Sequence, residues 1–175
     1  MRRTVPALAL CSLLGACASM NEDQCRRADW FDQGRSDGRA GQAGDRINAH
    51  REACSKAGVL PDGGRWSAGW REGVKLYCAP TSAWDAGVHD RSYNGVCRDL
   101  DEADFLRWYR AGKDVYRVRQ ERAKLTAEID KAEEQLKKAT KDDERKALRE
   151  RIVQLDKDKA RVRRTLETLE SVAPR

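Results

Sequence analysis

From Arg117 to Arg175 the chain has no glycine, no aromatic residue and no cysteine, and its only proline there is Pro174. A stretch without turn-formers or large core-formers has one stable option, which is long helices that bury an apolar seam. All five tryptophans lie between Trp30 and Trp108, and four of the cysteines between Cys25 and Cys97. Composition thus divides the chain into a head, residues 22–112, and a stalk, residues 113–173. The expected fold class is all-α: a small disulfide-stapled helical head followed by a C-terminal antiparallel helical hairpin or coiled coil.

The stalk seam is readable residue by residue. Val115, Val118, Leu125, Ile129, Ala132, Leu136 and Ala139 follow 3-4 spacing, with Arg122 interrupting. Leu148, Ile152, Leu155, Val162, Leu166 and Leu169 follow it again, with Lys159 interrupting. The two frames join only through a slip of two residues. Thr140-Lys141-Asp142-Asp143 lies between them, with Thr140 placed to cap a new helix and Asp143 to complete a weak capping box. The pattern predicts a hairpin with arms about 40 Å long. The competing arrangement is one long helix with a phase slip, which must dimerise to bury its seam.

In the head, Asp23 to Ala43 reads as a first helix, capped by Asp23 or Asn21, and Asp45 to Ala57 as a second, stopped by Gly58. Pro61-Asp62 opens a third that runs to Tyr77 or Cys78, and Pro80 to Gly87 a fourth. Arg91 to Cys97 (RSYNGVC) carries an Asn-Gly turn and reads as a loop. Aromatic-x-x-Gly recurs four times, at Phe31/Gly34, Trp66/Gly69, Trp84/Gly87 and Tyr109/Gly112. Two copies extend to Gly-x-x-x-Gly, at Gly34/Gly38 and Gly69/Gly73. Glycines four apart share one helix face. Each costs a helix about 1 kcal/mol, so the repeated use predicts faces on which another backbone must come close.

The N-terminus carries a targeting signal. Arg2 and Arg3 precede an apolar run, Thr4 to Leu14, far shorter than the roughly 20 residues needed to span a bilayer. Leu14-Gly15-Ala16-Cys17 resembles the lipobox of bacterial lipoproteins, in which cleavage falls before the cysteine and the cysteine is acylated. The resemblance implies a signal peptide at 1–16, lipidation at Cys17 and a short linker to residue 21. The alternative is an ordinary cleaved signal with Cys17 in a disulfide. Cys11 is a poorer anchor because bulky Leu10 precedes it, and Ala18 in place of aspartate implies the outer membrane, facing the periplasm.

With Cys11 in the signal and Cys17 in the anchor, Cys25, Cys54, Cys78 and Cys97 remain. An even number in an oxidising compartment reads as two disulfides with three possible connectivities. Sequence proximity favours Cys25–Cys54 and Cys78–Cys97. No C-x-x-C spacing exists and only His50 and His89 could complete a metal site, so no metal and no cofactor is expected. The formal net charge of +6 falls mostly on residues 113–175, where 19 Lys/Arg oppose 14 Asp/Glu. That excess is mild and interleaved with acids, which argues against a nucleic-acid surface.

Several of these features occur together in one order. They are Cys25-x4-Trp30, Gly34-x-x-Asp37-Gly38-x-x-Gly41, His50 to Cys54 (HREAC), Gly58, Pro61-Asp62, Trp66-x-x-Gly69-Trp70-x-x-Gly73-x-x-x-Tyr77-Cys78-x-Pro80, and Tyr93 to Cys97 (YNGVC). The set resembles the bacterial domain of unknown function DUF2799, over about residues 22–112. That resemblance implies a lipoprotein context and disulfides, and no assigned activity.

Function is bounded more than named. Asp85, Glu72, His50 and His89 could be recruited for hydrolysis, yet no G-x-S-x-G or H-E-x-x-H spacing is present. His50 is expected as a surface or structural histidine. The reading is a non-enzymatic envelope lipoprotein whose partners are the membrane, through its lipid, and an envelope protein, through the coiled coil. The alternative is a glycan- or peptidoglycan-binding module with Trp66, Trp70 and Trp84 as a stacking platform; filling a small core is the commoner use of such residues. Replacing Cys17 by alanine is expected to move the protein from the membrane to the soluble fraction on cell fractionation. An unchanged membrane fraction would contradict the anchor.

Overall fold

The computed structural model describes residues 19–175, so the signal segment, Cys11, Cys17 and Ala18 lie outside the described residues. Among the described residues there are seven helices and no strand. The short helix α1 (Glu22–Arg27) is closed by a capping box between Asn21 and Gln24. The helix α2 (Trp30–Arg39) starts on Asp29, whose carboxylate accepts from the Phe31 and Asp32 amides at 2.9 and 3.1 Å. The stretch Asp23 to Ala43, expected as one helix, is therefore two. Ala28 is extended and Asp29 is a better cap than a helix interior residue. Next come α3 (Arg46–Ser55) and α4 (Gly63–Tyr77), the latter capped by Asp62 as its sequence predicts. Gly58 takes φ +67° just after α3. The helix α5 (Pro80–Val88) has proline in its first turn.

The head is built from two helix crossings. In the first, α2 lies on α4 with backbone against backbone. A β-carbon on Gly34 would land on the Trp66 carbonyl oxygen, and one on Gly69 would land on the Phe31 carbonyl oxygen. Gly38 and Gly73 repeat the relation one turn on, against the carbonyls of Trp70 and Arg35. In the second crossing α5 meets α6 (Glu102–Lys138). There a β-carbon on Gly87 would strike the Tyr109 carbonyl and one on Gly112 the Trp84 carbonyl. The four aromatic-x-x-Gly copies thus work as two reciprocal pairs: each aromatic residue offers its carbonyl to the glycine of its partner helix. The C–H···O contacts this permits recur wherever helices pack this closely.

One disulfide lies in the core cluster beside each crossing. Cys25–Cys54 ties α1 to α3, with Cα atoms 5.4 Å apart, and Cys78–Cys97 ties the end of α4 to the loop before α6, at 5.7 Å. That loop holds the expected Asn-Gly turn, with Gly95 at φ +71°. Around the first bridge Met20, Trp30, Ile47 and Trp66 form an apolar cluster. Around the second, Tyr77, Ala83 and Phe105 form another, with the Tyr93 and Phe105 rings 4.6 Å apart.

The stalk is the hairpin. The helix α6 continues unbroken through Gly112 for 37 residues, and α7 (Asp142–Ser171) returns along it. Arg119 pairs with Glu170 at the base and Arg151 with Glu128 further out, the register of antiparallel arms. Val115, Val118, Val162 and Leu166 close the seam at the base, where Trp84 and Val88 of α5 pack on it. The compositional boundary at 112 is therefore no break in the backbone, since α6 belongs to both halves. The turn differs from expectation. Lys141 precedes α7 and no side chain caps it, so Thr140 does not act as a cap. Arg145 instead donates to the Leu136 and Ala139 carbonyls at 3.3 and 3.0 Å, satisfying the end of α6.

Two alanine substitutions separate close packing from backbone preference. Gly69→Ala must push two helices apart and should cost about 3 kcal/mol, the upper end of overpacking. Gly58→Ala meets nothing within 4 Å and pays only for its positive φ, about 1 kcal/mol. Urea unfolding of both variants checks the order; equal losses would contradict a backbone-to-backbone crossing.

Candidate functional site

The most highly organised polar group in the head sits beside the first crossing. Asp37 borders the glycine face of α2, and its side chain turns toward α3 and α4. Its Oδ2 accepts from Nε2 of His50 and from the indole N–H of Trp66, both at 2.8 Å. Its Oδ1 accepts from Gln33 at 3.1 Å. His50 is 1% exposed, and its second ring nitrogen, Nδ1, is 2.9 Å from the Ser19 hydroxyl. With Asp37 ionised, the His50 proton belongs on Nε2, which leaves Nδ1 to accept from Ser19. Trp30 and Trp66 wall the imidazole, with ring centroids 6.3 and 6.5 Å away.

Burial by itself would push the Asp37 carboxyl up. The hydrogen bonds from His50, Trp66 and Gln33 outweigh it and hold the pKa below the ordinary 3.8. The sign of the linkage follows. Asp37 contributes its full stabilisation above the unfolded value, and the contribution is lost as pH falls through the lower folded one.

Ser19, His50 and Asp37 stand in the order of a hydrolase relay. A relay histidine must carry a proton to a leaving group. An imidazole 1% exposed, with both nitrogens occupied, has no path to one. What the arrangement does is clamp: it joins α2, α3, α4 and the segment entering the head through one carboxylate. Sequence reasoning expected His50 as a surface or structural histidine and did not single out Asp37 or Ser19; the structure makes His50 buried. For Asp37 a signal existed, a carboxylate next to a helix-packing glycine in Gly34-x-x-Asp37-Gly38. For Ser19, 31 residues from its partner, there was none.

The other nominated residues do not converge. Trp66 is 2% exposed, and its indole N–H is spent on Asp37. Trp70 is half-buried, donates to the Gln42 carbonyl at 2.8 Å and stacks on Trp66 at 6.2 Å. Trp84 is half-buried in a different cluster, against the base of the stalk. Of the three indoles named for a stacking platform, one is buried and two are half-buried in separate clusters, and Trp66 and Trp70 have their polar edge satisfied internally. Asp85 pairs on the surface with Arg91 at 2.7 Å and with His89 at 3.0 Å, away from His50, and Glu72 is exposed. Among the described residues no group of three or more His, Cys, Asp or Glu is arranged to hold a metal.

The family comparison falls on this unit. Residues 29–114 match the family model described as a protein of unknown function, DUF2799. Through this segment the chain belongs to the DUF2799 family. The matched segment of the DUF2799 chain runs from the Asp29 cap to the second crossing and takes in Asp37, His50 and both glycine pairs. Neither a curated protein nor a solved structure matches the chain.

The clamp is open to direct test. Ser19→Ala should cost about 1 kcal/mol, the loss of one neutral hydrogen bond. Asp37→Ala should cost about 3 kcal/mol, because it strands a buried histidine. Wild-type stability should fall more steeply than that of Asp37→Asn as the pH drops from about 5 through the lowered folded pKa of Asp37; parallel profiles would show that Asp37 is not ionised in the folded head.

Proposed function

We propose that this protein is a non-enzymatic lipoprotein of the cell envelope, anchored by Cys17 in the outer membrane and facing the periplasm. In this reading the DUF2799 domain is a rigid base and the stalk is an arm that docks an envelope protein. The observation that carries it is the continuity of α6, which leaves the Phe105 cluster and becomes the stalk without a joint. The seam at the base is closed by α7, so the arm needs no second chain there and leaves its charged outer faces free. Among the described residues no helix is long and apolar enough to cross a membrane, and in this reading the lipid at Cys17 supplies the attachment. Two or more acyl chains suffice for that.

The burial of Trp66 and the placement of Trp84 in a different cluster from Trp70 count against the glycan-binding alternative. A photo-reactive residue in place of exposed Lys131 or Arg149 on the stalk, or of exposed Lys75 on the head, separates the two in cells. The stalk positions are expected to capture one protein partner and Lys75 none. Capture of cell-wall glycan from the head alone would overturn the docking-arm reading in favour of a glycan module.

A further inference from the structure

We infer that one face of the head lies directly on the phospholipid headgroup layer, with no tether between lipid and fold. This rests on the anchor at Cys17. A linker spanning residues 17–21 would let the head swing, but the described chain is already part of the fold at its first two residues. Ser19 is hydrogen-bonded to His50, which is 1% exposed, and Met20 is 7% exposed in the cluster of Trp30, Ile47 and Trp66. Asn21 then caps α1. Only Ala18 separates Ser19 from the acylated cysteine, and two residues reach at most about 7 Å even fully extended.

That distance decides the arrangement. The polar layer of a bilayer is roughly 5–7 Å thick on each side of its hydrocarbon core. A cysteine whose acyl chains enter the hydrocarbon therefore holds Ser19 within the headgroup layer or at its outer edge. The surface around Ser19 is a shallow open groove lined by Gln24, Arg27, Asp29 and Asp32. Arg27 is 79% exposed, and Asp32 is exposed with the opposite sign. A face with both signs and hydrogen-bonding groups suits a zwitterionic headgroup carrying phosphate and ammonium, such as phosphatidylethanolamine, better than a purely anionic surface. The Ser19–His50–Asp37 clamp thereby acquires a second role: it fixes the orientation of the head, and through α6 that of the stalk, relative to the membrane.

The test uses the lipidated full-length protein in vesicles of phosphatidylethanolamine with a minority of phosphatidylglycerol. A fluorescent amino acid replaces exposed Asp32 in the groove or exposed Lys141 at the stalk tip. Nitroxide carried on the lipid headgroups is the quencher. Emission from position 32 is expected to fall several-fold and emission from position 141 to stay unchanged. A twelve-residue Gly/Ser spacer between Ala18 and Ser19 is expected to remove the quenching at 32 while leaving the thermal midpoint near that of the wild type. Equal, weak quenching at both positions, or quenching at 32 that survives the spacer, overturns the inference while the protein still sediments with vesicles. Protein that fails to sediment with vesicles, as Cys17→Ala should, overturns the anchor and this inference with it.

Discussion

Everything in the head is hung on backbone meeting backbone. Where α2 crosses α4, the carbonyls of Phe31, Arg35, Trp66 and Trp70 occupy the space that β-carbons would need on the glycines opposite. Helices that close gain dispersion contacts and C–H···O interactions. The same device at Gly87 and Gly112 joins α5 to α6 and so determines where the stalk begins. A head of about ninety residues can bury only part of its surface. Two close helix crossings and two disulfides are a way to reach a defined structure with so little core.

The clamp at Asp37 belongs to the same logic. Bringing α2 down on α4 carries Asp37 out of water, and an ionised carboxylate there is tolerated only if its oxygens are satisfied. His50 on α3 and Trp66 on α4 supply two donors, and Gln33, one turn back on α2, a third. The cost of burying the charge becomes a specificity device, because α3 and α4 must both be in place on α2 to bring the His50 and Trp66 donors to one carboxylate. Ser19 extends that specificity to the segment entering the domain. Structure and attachment are thereby linked: the residues nearest the proposed lipid are held by the most buried polar group in the head.

The stalk is simpler, and its departures from expectation are local. Of the residues periodicity marked as seam, Val115, Val118, Ile129, Ala132, Ala139, Leu155, Val162 and Leu166 are buried, while Leu125, Leu136, Leu148, Ile152 and Leu169 are half-buried. Arg122 and Lys159, the interruptions, are consistent with long side chains whose heads stay in water beside an apolar seam. Thr140 was readable as a cap because threonine commonly is one. Arg145 took over the turn instead, because a guanidinium can reach two carbonyls of α6 at once. Nothing in a local window shows that a residue nine positions on will bridge back to the previous helix. The same blindness applied to Asp29, whose role as a cap divided one apparent helix into two.

What the sequence determined by itself was whatever depends on short-range repetition. Period 3-4 in the tail meant paired helices, glycines four apart meant close crossings, and an even set of cysteines between Cys25 and Cys97 meant two bridges. These follow from helix geometry and from chemistry carried by single residue types. Only the tertiary structure decided which glycine face met which, that Trp66 is buried, and that Asp37, His50 and Ser19 converge. Those outcomes depend on distances between residues far apart in the chain. They are set by packing of whole helices, and periodicity, which reports only the face a residue occupies, contains no information on what that face will meet.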